Sequence, residues 1–333
     1  MPRRLRWIPE GATVAVSTRT LQGRHFLRPG RAENEILLGV LGYALERHAV
    51  RLHAVTVLSN HYHLLLTPSD ADELARFMNL VNSKLAREFC RLRGWSGHLW
   101  SDRYTAILVS AEEAAQVQQL RYVLGQGCKE GLVARPADWQ GVQSASTLCS
   151  GDELDGWWFD RSAEGEARRR GQRPGRYDHA TRYAVELTPI PVWAHLSEEA
   201  YRQRVCELVA AIEEETATMH RQGRTRPAGS KAVRRKNPLA VAAAPARRAR
   251  PLVHAVSRKV RESYRAAYRE FVLCFRGAAL HARTESRAAH SLRRLFPEGS
   301  FPPRLPFVGR EMLRGEREGP ERLPPRGDRP IVD

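Results

Sequence analysis

The sequence predicts an α+β fold over residues 1–150: a ferredoxin-like antiparallel sheet with helices on one face. A mostly helical C-terminal region follows. Two observations carry this. Short segments that alternate apolar and polar residues interleave with segments of 3.6-residue periodicity, and their order is β-α-β-β-α-β-α. Ala12–Thr18 alternates as a strand. Asn34 is the candidate cap of a helix with its apolar stripe at Leu37, Val40, Leu41 and Ala44. Arg51–Leu58 reads as a strand, Ser59-Asn60 as a turn, and His61–Thr67 as a second strand ended by Pro68. Asp70–Arg93 is a long amphipathic helix (Leu74, Phe77, Val81, Leu85, Phe89, Leu92) stopped at Gly94. Tyr104–Val109 then reads as a strand and Ala111–Gln126 as a helix.

Beyond residue 150 the expected organisation is a helical extension over 151–215, a basic linker over 216–255, a C-terminal helical segment over 256–309 and a disordered tail over 310–333. One helix should open at Ser197, with a stripe at Tyr201, Val205, Leu208 and Ile212. Another should run from Ser257 through Tyr264, Tyr268, Phe271 and Phe275. The linker reading rests on charge and composition. Between Thr216 and Arg261 there are 13 Arg or Lys and no Asp or Glu, together with Pro227, Gly229 and Pro238.

The 333 residues carry a net charge of +17 and an isoelectric point near 10.4. So basic a chain calls for a polyanionic partner, and nucleic acid is the default because phosphates supply most non-specific affinity. Five scattered cysteines without a C-x-x-C pair argue against a disulfide framework and against a cysteine zinc site. No signal core or run of about 18 apolar residues is seen. The expected location is therefore the cytoplasm, in association with the nucleoid and without a membrane partner.

Two patterns carry candidate chemistry. In Ser59-Asn60-His61-Tyr62-His63-Leu64-Leu65-Leu66, strand alternation projects His61 and His63 to one side and Tyr62 to the other. Two neutral imidazoles so placed make half of a divalent-metal site, although an isolated His-x-His is as readily one surface and one core histidine. In Arg121-Tyr122-Val123-Leu124-Gly125-Gln126, helical spacing sets the Tyr122 phenol above the Gln126 amide. Read alone, that pair is more often a half-buried core tyrosine and a solvated helix end.

Residues 1–146 resemble the REP-associated tyrosine transposase-like group of the single-tyrosine HUH superfamily. The landmarks, in order, are the His61-Tyr62-His63 segment, Phe77-Met78, Gly97-His98-Leu99-Trp100-Ser101-Asp102-Arg103-Tyr104, Arg121-Tyr122-Val123, Gly131-Leu132-Val133, Pro136-Ala137-Asp138-Trp139 and Ser144-Ala145-Ser146. The resemblance implies that His61, His63 and Gln126 hold a divalent ion, Mg²⁺ or Mn²⁺, and that Tyr122 is the nucleophile. It further implies cleavage and rejoining of single-stranded or hairpin DNA through a 5′-phosphotyrosine. The chain departs from the group's Asn-Pro-Val-Arg-Ala-Gly after the tyrosine, reading Gln126-Gly127-Cys128-Lys129-Glu130-Gly131. Gln keeps the amide oxygen on a longer arm, and loss of the proline lets the helix end differently.

Candidate DNA-contacting residues are Lys84, Arg87 and Arg91 on the long helix, Arg103, Arg121, and Arg234, Arg235 and Lys236 in the basic segment. Trp95 and Trp100 suit either base stacking or pinning of the next strand. The expected assembly is a monomer or a homodimer. Two other readings are a domesticated hairpin-DNA-binding protein without productive cleavage, and a phosphoesterase that uses the histidines with water.

Overall fold

In the computed structural model, the described residues are 4–242, 250–284 and 295–302. The disordered tail expected over 310–333 lies outside them. The described residues fall into two compact units, one with 4–242, 250–272 and 298–301, the other with 273–284, 295–297 and 302.

The first unit is built on β1 (Thr13–Arg19), α1 (Arg31–Arg47), β2 (Val50–Val57), β3 (His61–Pro68), α2 (Ala71–Arg93), β4 (Thr105–Val109), α3 (Glu113–Leu124) and α4 (Gln126–Lys129). Next come α5 (Ala145–Ser150), β5 (Asp155–Phe159), α6 (Arg161–Arg169), β6 (Ala180–Ala184), α7 (Glu198–Gly223), α8 (Ser230–Arg235) and β7 (Val253–His254). α9 (Arg258–Thr284) crosses the boundary between the units. The main sheet has the order β2-β3-β1-β4-β7, antiparallel except for the β4–β7 pair. This is the expected α+β architecture, with one parallel strand added at its edge.

Strand alternation divides the core in two. Val14, Val16, Leu64 and Leu66 share one cluster with α1 (Ile36, Leu37, Val40, Leu41) and α2 (Leu74, Phe77, Val81). Ala54, Leu65 and Val109 belong to another, with Leu120, Val123 and Leu124 of α3. Thus α1 and α2 lie together on one face and α3 covers the opposite one, so the helices are not confined to the single face that the sequence suggests, because the strands carry apolar residues on both sides.

Local chemistry sets the helix ends. Asp70 accepts from the Glu73 N–H at 2.7 Å, capping α2, and Gly94 ends it in the left-handed conformation (φ 59°). Asn34 is not the cap of α1: Gly30 takes that position, four residues earlier, and the helix begins at Arg31. Asn34 instead donates from its side chain to the Gln140 carbonyl at 2.9 Å.

The region after residue 150 is less purely helical than its sequence suggests, because β5 and β6 pair as an antiparallel ribbon. That ribbon presses backbone to backbone on α1. A Cβ on Gly39 would stand 2.1 Å from both the Trp157 carbonyl carbon and its oxygen, and one on Gly156 would stand 2.4 Å from the Gly39 nitrogen. The approach also stacks Tyr43 on Trp158, with centroids 3.6 Å apart and planes at 6°. Gly39→Ala should therefore destabilise the protein. The gain in helix propensity is about 1 kcal/mol, whereas displacing backbone in a packed site costs about 1–3 kcal/mol or more. Urea unfolding that shows a more stable Gly39→Ala protein would contradict this packing.

Among its described residues, the segment read as a linker carries regular elements. Residues 216–223 complete α7, α8 follows, and Val253–His254 form β7. Edge strand β2 is guarded by residues 142–144 and by Thr188 of the extension. Val57 N–H donates to the Val142 carbonyl, Ser144 N–H to that of Val55 and Thr188 N–H to that of Leu52, at 2.8–2.9 Å. Between Leu52 and Ala54 the β2–β3 register shifts, leaving His53 as the extra residue. Its ring is fully buried, 2.9 Å from Thr67 Oγ1 and 3.0 Å from the Thr188 carbonyl.

Burial, followed by the charge of Arg51, pushes the His53 pKa down from 6.5 to about 4. The unfolded chain then takes up this proton near pH 6.5 and the folded chain does not. Stability is complete above pH 6.5 and falls as the pH drops toward 4, by about 2–3 kcal/mol for this one group. Denaturant titrations at pH 7.5 and 4.5 should show a difference smaller by that amount in His53→Gln. An unchanged difference would rule His53 out as a source of acid sensitivity.

Candidate functional site

The imidazole face lies across the sheet from α1 and α2. Opposed residues of antiparallel strands share a face, so Thr56, His63, Ser17 and Thr105 form one row, and Arg19 stands opposite His61. His61 and His63 project together, with ring centroids 5.1 Å apart and planes at 86°. Tyr62 points the other way, fully buried, and donates to Asn82 Oδ1 at 2.8 Å.

One hydrogen bond registers α3 against this row. Thr56 Oγ1 donates at 2.7 Å to the carbonyl of Val123, the residue after Tyr122. The Tyr122 ring thereby comes edge-on to His63, with centroids 5.4 Å apart, while the side chain stays 38% exposed. Its competitors are engaged elsewhere. Tyr104 is mostly buried under the Arg6 guanidinium, 3.9 Å from its ring centre, and burial pushes its phenol pKa up.

Gln126 is 1% exposed and donates from Nε2 to the Tyr122 carbonyl at 2.8 Å. The helix does not run through it as the sequence suggested. α3 stops at Leu124, Gly125 leaves helical geometry (φ −86°, ψ 5°), and Gln126 opens α4. The side-chain amide nitrogen thus ties the two short helices together, and Oε1 remains as the atom with ligand chemistry.

Asn60 orients His61. It donates from Nδ2 to the Gly23 carbonyl at 3.0 Å, which turns its Oδ1 toward His61 Nδ1 at 2.7 Å. His61 therefore carries its proton on Nδ1 and keeps Nε2 as a lone pair. Burial, then the charges of Arg19 and Lys129, lowers the His61 pKa to about 4. Burial, then His61 and Lys129, lowers that of His63 to about 3. Both rings are neutral at physiological pH, the form that binds a cation. Among the described residues no cluster of three or more His, Cys, Asp or Glu could hold a metal. A cation here would have two imidazoles, and its other positions would fall to neutral oxygen donors such as the Gln126 amide. The donor chemistry fits.

Two cations at the site were missed from sequence. Lys129 Nζ stands 4.2 Å over the centre of the Tyr122 ring. Its spacing of seven from Tyr122, two helical turns, was a usable signal. Arg19, at the end of β1, gave none.

The structure gives several expected DNA-contacting residues other surroundings. Lys84, Arg87 and Arg91 lie on α2, across the sheet from the histidines. Lys84 sits 4.5 Å over the Trp158 ring and Arg91 pairs with Glu164 at 3.0 Å, because the ribbon and α6 cover this side of α2; Arg87 is exposed. Arg121, beside Tyr122, pairs with Glu215 of α7 at 2.5 Å. Arg103 is exposed on the loop along the end of β1, where Ser101 N–H donates to the Arg19 carbonyl at 3.0 Å. Arg234 reaches Gln140 at 3.1 Å, and Arg235 and Lys236 are exposed. Both tryptophans of the following loop serve packing. Trp100 donates to the Asn82 carbonyl at 2.9 Å, and Trp95 packs on Phe26 with centroids 5.4 Å apart.

The family described as IS200-like transposase matches residues 23–126. A REP-associated tyrosine transposase solved bound to a REP hairpin is 16% identical, over 45% of this chain and 87% of its own, with a TM-score of 0.37. A protein from Deinococcus radiodurans R1, described as a candidate transposase, is 22% identical over 36% of this chain and 94% of its own, with a TM-score of 0.26. Both scores lie below 0.5. Among curated proteins no match is found. Among the described residues no helix is long and apolar enough to cross a membrane.

Proposed function

We propose, from a chain whose residues 23–126 match the family described as IS200-like transposase, that the protein is a single-strand DNA strand transferase with Tyr122 as nucleophile. The observation that carries this reading is the juxtaposition of a partly exposed tyrosine with two neutral imidazoles on the same face of the sheet. Tyr122 Oη attacks the phosphorus of a DNA phosphodiester in line with the 3′ oxygen. The Oη–P bond forms, the P–O3′ bond breaks, the phenol proton is lost to solvent and the leaving oxygen is protonated. The products are a 5′-phosphotyrosine and a free 3′-OH. Attack by a 3′-OH on that phosphotyrosine reverses the exchange, so strands rejoin without a nucleotide cofactor.

His61, His63 and the Gln126 amide would hold a divalent cation, Mg²⁺ or Mn²⁺, that withdraws charge from the attacked phosphate when bound. Arg19 and Lys129 make the pocket electropositive, which favours phosphate and disfavours a lone dication. Asn60 holds His61 in the required tautomer, and Thr56 holds the tyrosine helix at the height of His63.

The test is incubation of the whole chain with labelled hairpin and unstructured single-stranded DNA and Mg²⁺ or Mn²⁺, followed by denaturing electrophoresis. A metal-dependent covalent adduct is expected. Binding with no adduct would support the domesticated DNA-binding reading, and cleavage with no adduct would support attack by water.

A further inference from the structure

The segment bordering the imidazole face carries an unbalanced charge. Residues 224–242 contain Arg224, Arg226, Lys231, Arg234, Arg235 and Lys236 and no acid, and all six cations are exposed. The segment is nevertheless docked. Beyond α4, the N–H groups of Ala228 and Gly229 donate to the carbonyls of Gly131 and Leu132 at 2.8 Å. Ser230 Oγ donates to the Asp138 carbonyl at 2.8 Å, and Val233 is buried in the cluster that includes α3. At its other end the segment reaches the β1–α1 connection. There Arg28 donates to the carbonyls of Arg234 and Lys236 at 3.2 and 3.0 Å, Arg24 donates to that of Leu239, and Ala242 N–H donates to that of Gln22 at 3.2 Å.

These contacts gather like charges. Arg24 and Arg28 spend donors on neutral carbonyls, so they pin the segment without cancelling its charge. Each such cation raises the repulsion that a polyanion would relieve. The two ends also flank the site. Gly131 lies two residues beyond Lys129. The β1–α1 connection carries Gly23, whose carbonyl holds Asn60 and through it His61. Gly23 is seated against the Arg19 guanidinium, since a Cβ there would lie 2.9 Å from Arg19 Nη2. The buried apolar residue faces inward, and what faces outward is cationic, which suits phosphates better than lipid.

We propose that residues 224–242 form a cationic strap that binds the sugar–phosphate backbone of single-stranded DNA on either side of the phosphate presented to His61, His63 and Tyr122. The inference rests on the DNA-cleaving reading of that site. It assigns the chain's acid-free run to holding the substrate flanks.

The experiment uses the whole chain in a Tyr122→Phe background, with a labelled unstructured oligonucleotide titrated across a salt series. Lys231→Ala/Arg235→Ala/Lys236→Ala should lose roughly 10- to 100-fold in affinity. Its slope of log K against log salt should fall by about 2, at about 0.7 per phosphate contact. Lys259→Ala/Arg265→Ala/Arg269→Ala removes the same charge from exposed positions of α9 and should change both far less. Equal losses in the two triples, no loss in the first, or competition by poly-glutamate as effective as by DNA would overturn the strap. Adduct formation by the otherwise unaltered chain is scored separately. An adduct with a silent strap triple sinks the strap alone, whereas strap-dependent binding without an adduct sinks the cleavage reading alone.

Discussion

Tyr122→Phe is expected to abolish the covalent protein–DNA adduct, by at least about 10³-fold, because no neighbouring group can serve as both nucleophile and leaving group. The substitution is unusually clean here. The edge-on contact with His63 and the position of Lys129 over the ring are made by the aromatic ring, which phenylalanine keeps. Only Oη is lost, from a side chain that is 38% exposed. DNA affinity should stay within about twofold, since phosphate contacts set it, and the thermal midpoint should hardly move. Denaturing gels and a melting curve on one preparation check all three expectations. An adduct that persists would transfer the nucleophile to another residue. Loss of the adduct together with loss of binding would mean that the phenol anchors DNA and does not attack it.

His63→Ala should eliminate metal-dependent cleavage, by about 10²-fold or more, for a different reason. His63 is the central member of the face: it neighbours His61, meets the Tyr122 ring and pairs with Ser17 and Thr56 in the sheet. Its truncation removes a donor and leaves Tyr122 without its packing partner. Because the ring is neutral when folded, its removal leaves no buried charge behind, and the structural cost should be limited to about 1–3 kcal/mol of lost packing. Adduct yield across a Mn²⁺ titration, with circular dichroism to establish folding, decides the matter. A folded His63→Ala protein that forms adduct at the normal rate would show that the imidazole pair is structural.

That His61 and His63 share one side of a strand and that Tyr122 lies on a helix was legible because each placement depends on a period internal to one element, two for the strand and 3.6 for the helix; that the two elements meet was implied only by the family resemblance. α2 was legible to within one residue for a similar reason, since Asp70 and Gly94 are local punctuation. Gln126 was half legible. Its proximity to Tyr122 follows from spacing, but the break at Gly125 and the use of its nitrogen on a backbone carbonyl do not. The Lys84–Arg91 row was misleading because helical periodicity identifies a polar face without saying what covers it; the ribbon and α6 do, through Trp158 and Glu164. Arg19, the docking of residues 224–242 and the closeness of β5 to α1 come from contacts between residues far apart in the chain. Those leave no local period to read.

The way residues after 150 enter both cores has a consequence for how the chain is made. The four antiparallel strands are all synthesised by Val109, and one face of their sheet can close early against α1 and α2. The other face, with Ala54, Leu65 and Val109, is finished by Ile190, Trp193, Tyr201, Val205 and Ile212, about a hundred residues later. At roughly 5–20 residues per second the nascent chain carries that apolar surface only partly covered, by α3 and the residues up to Leu148, for several seconds or more. Val253 must still arrive to pair with Leu108. The imidazole face shares this late-closing side, so a ribosome-bound fragment holds the histidines and the tyrosine before it holds their final surroundings.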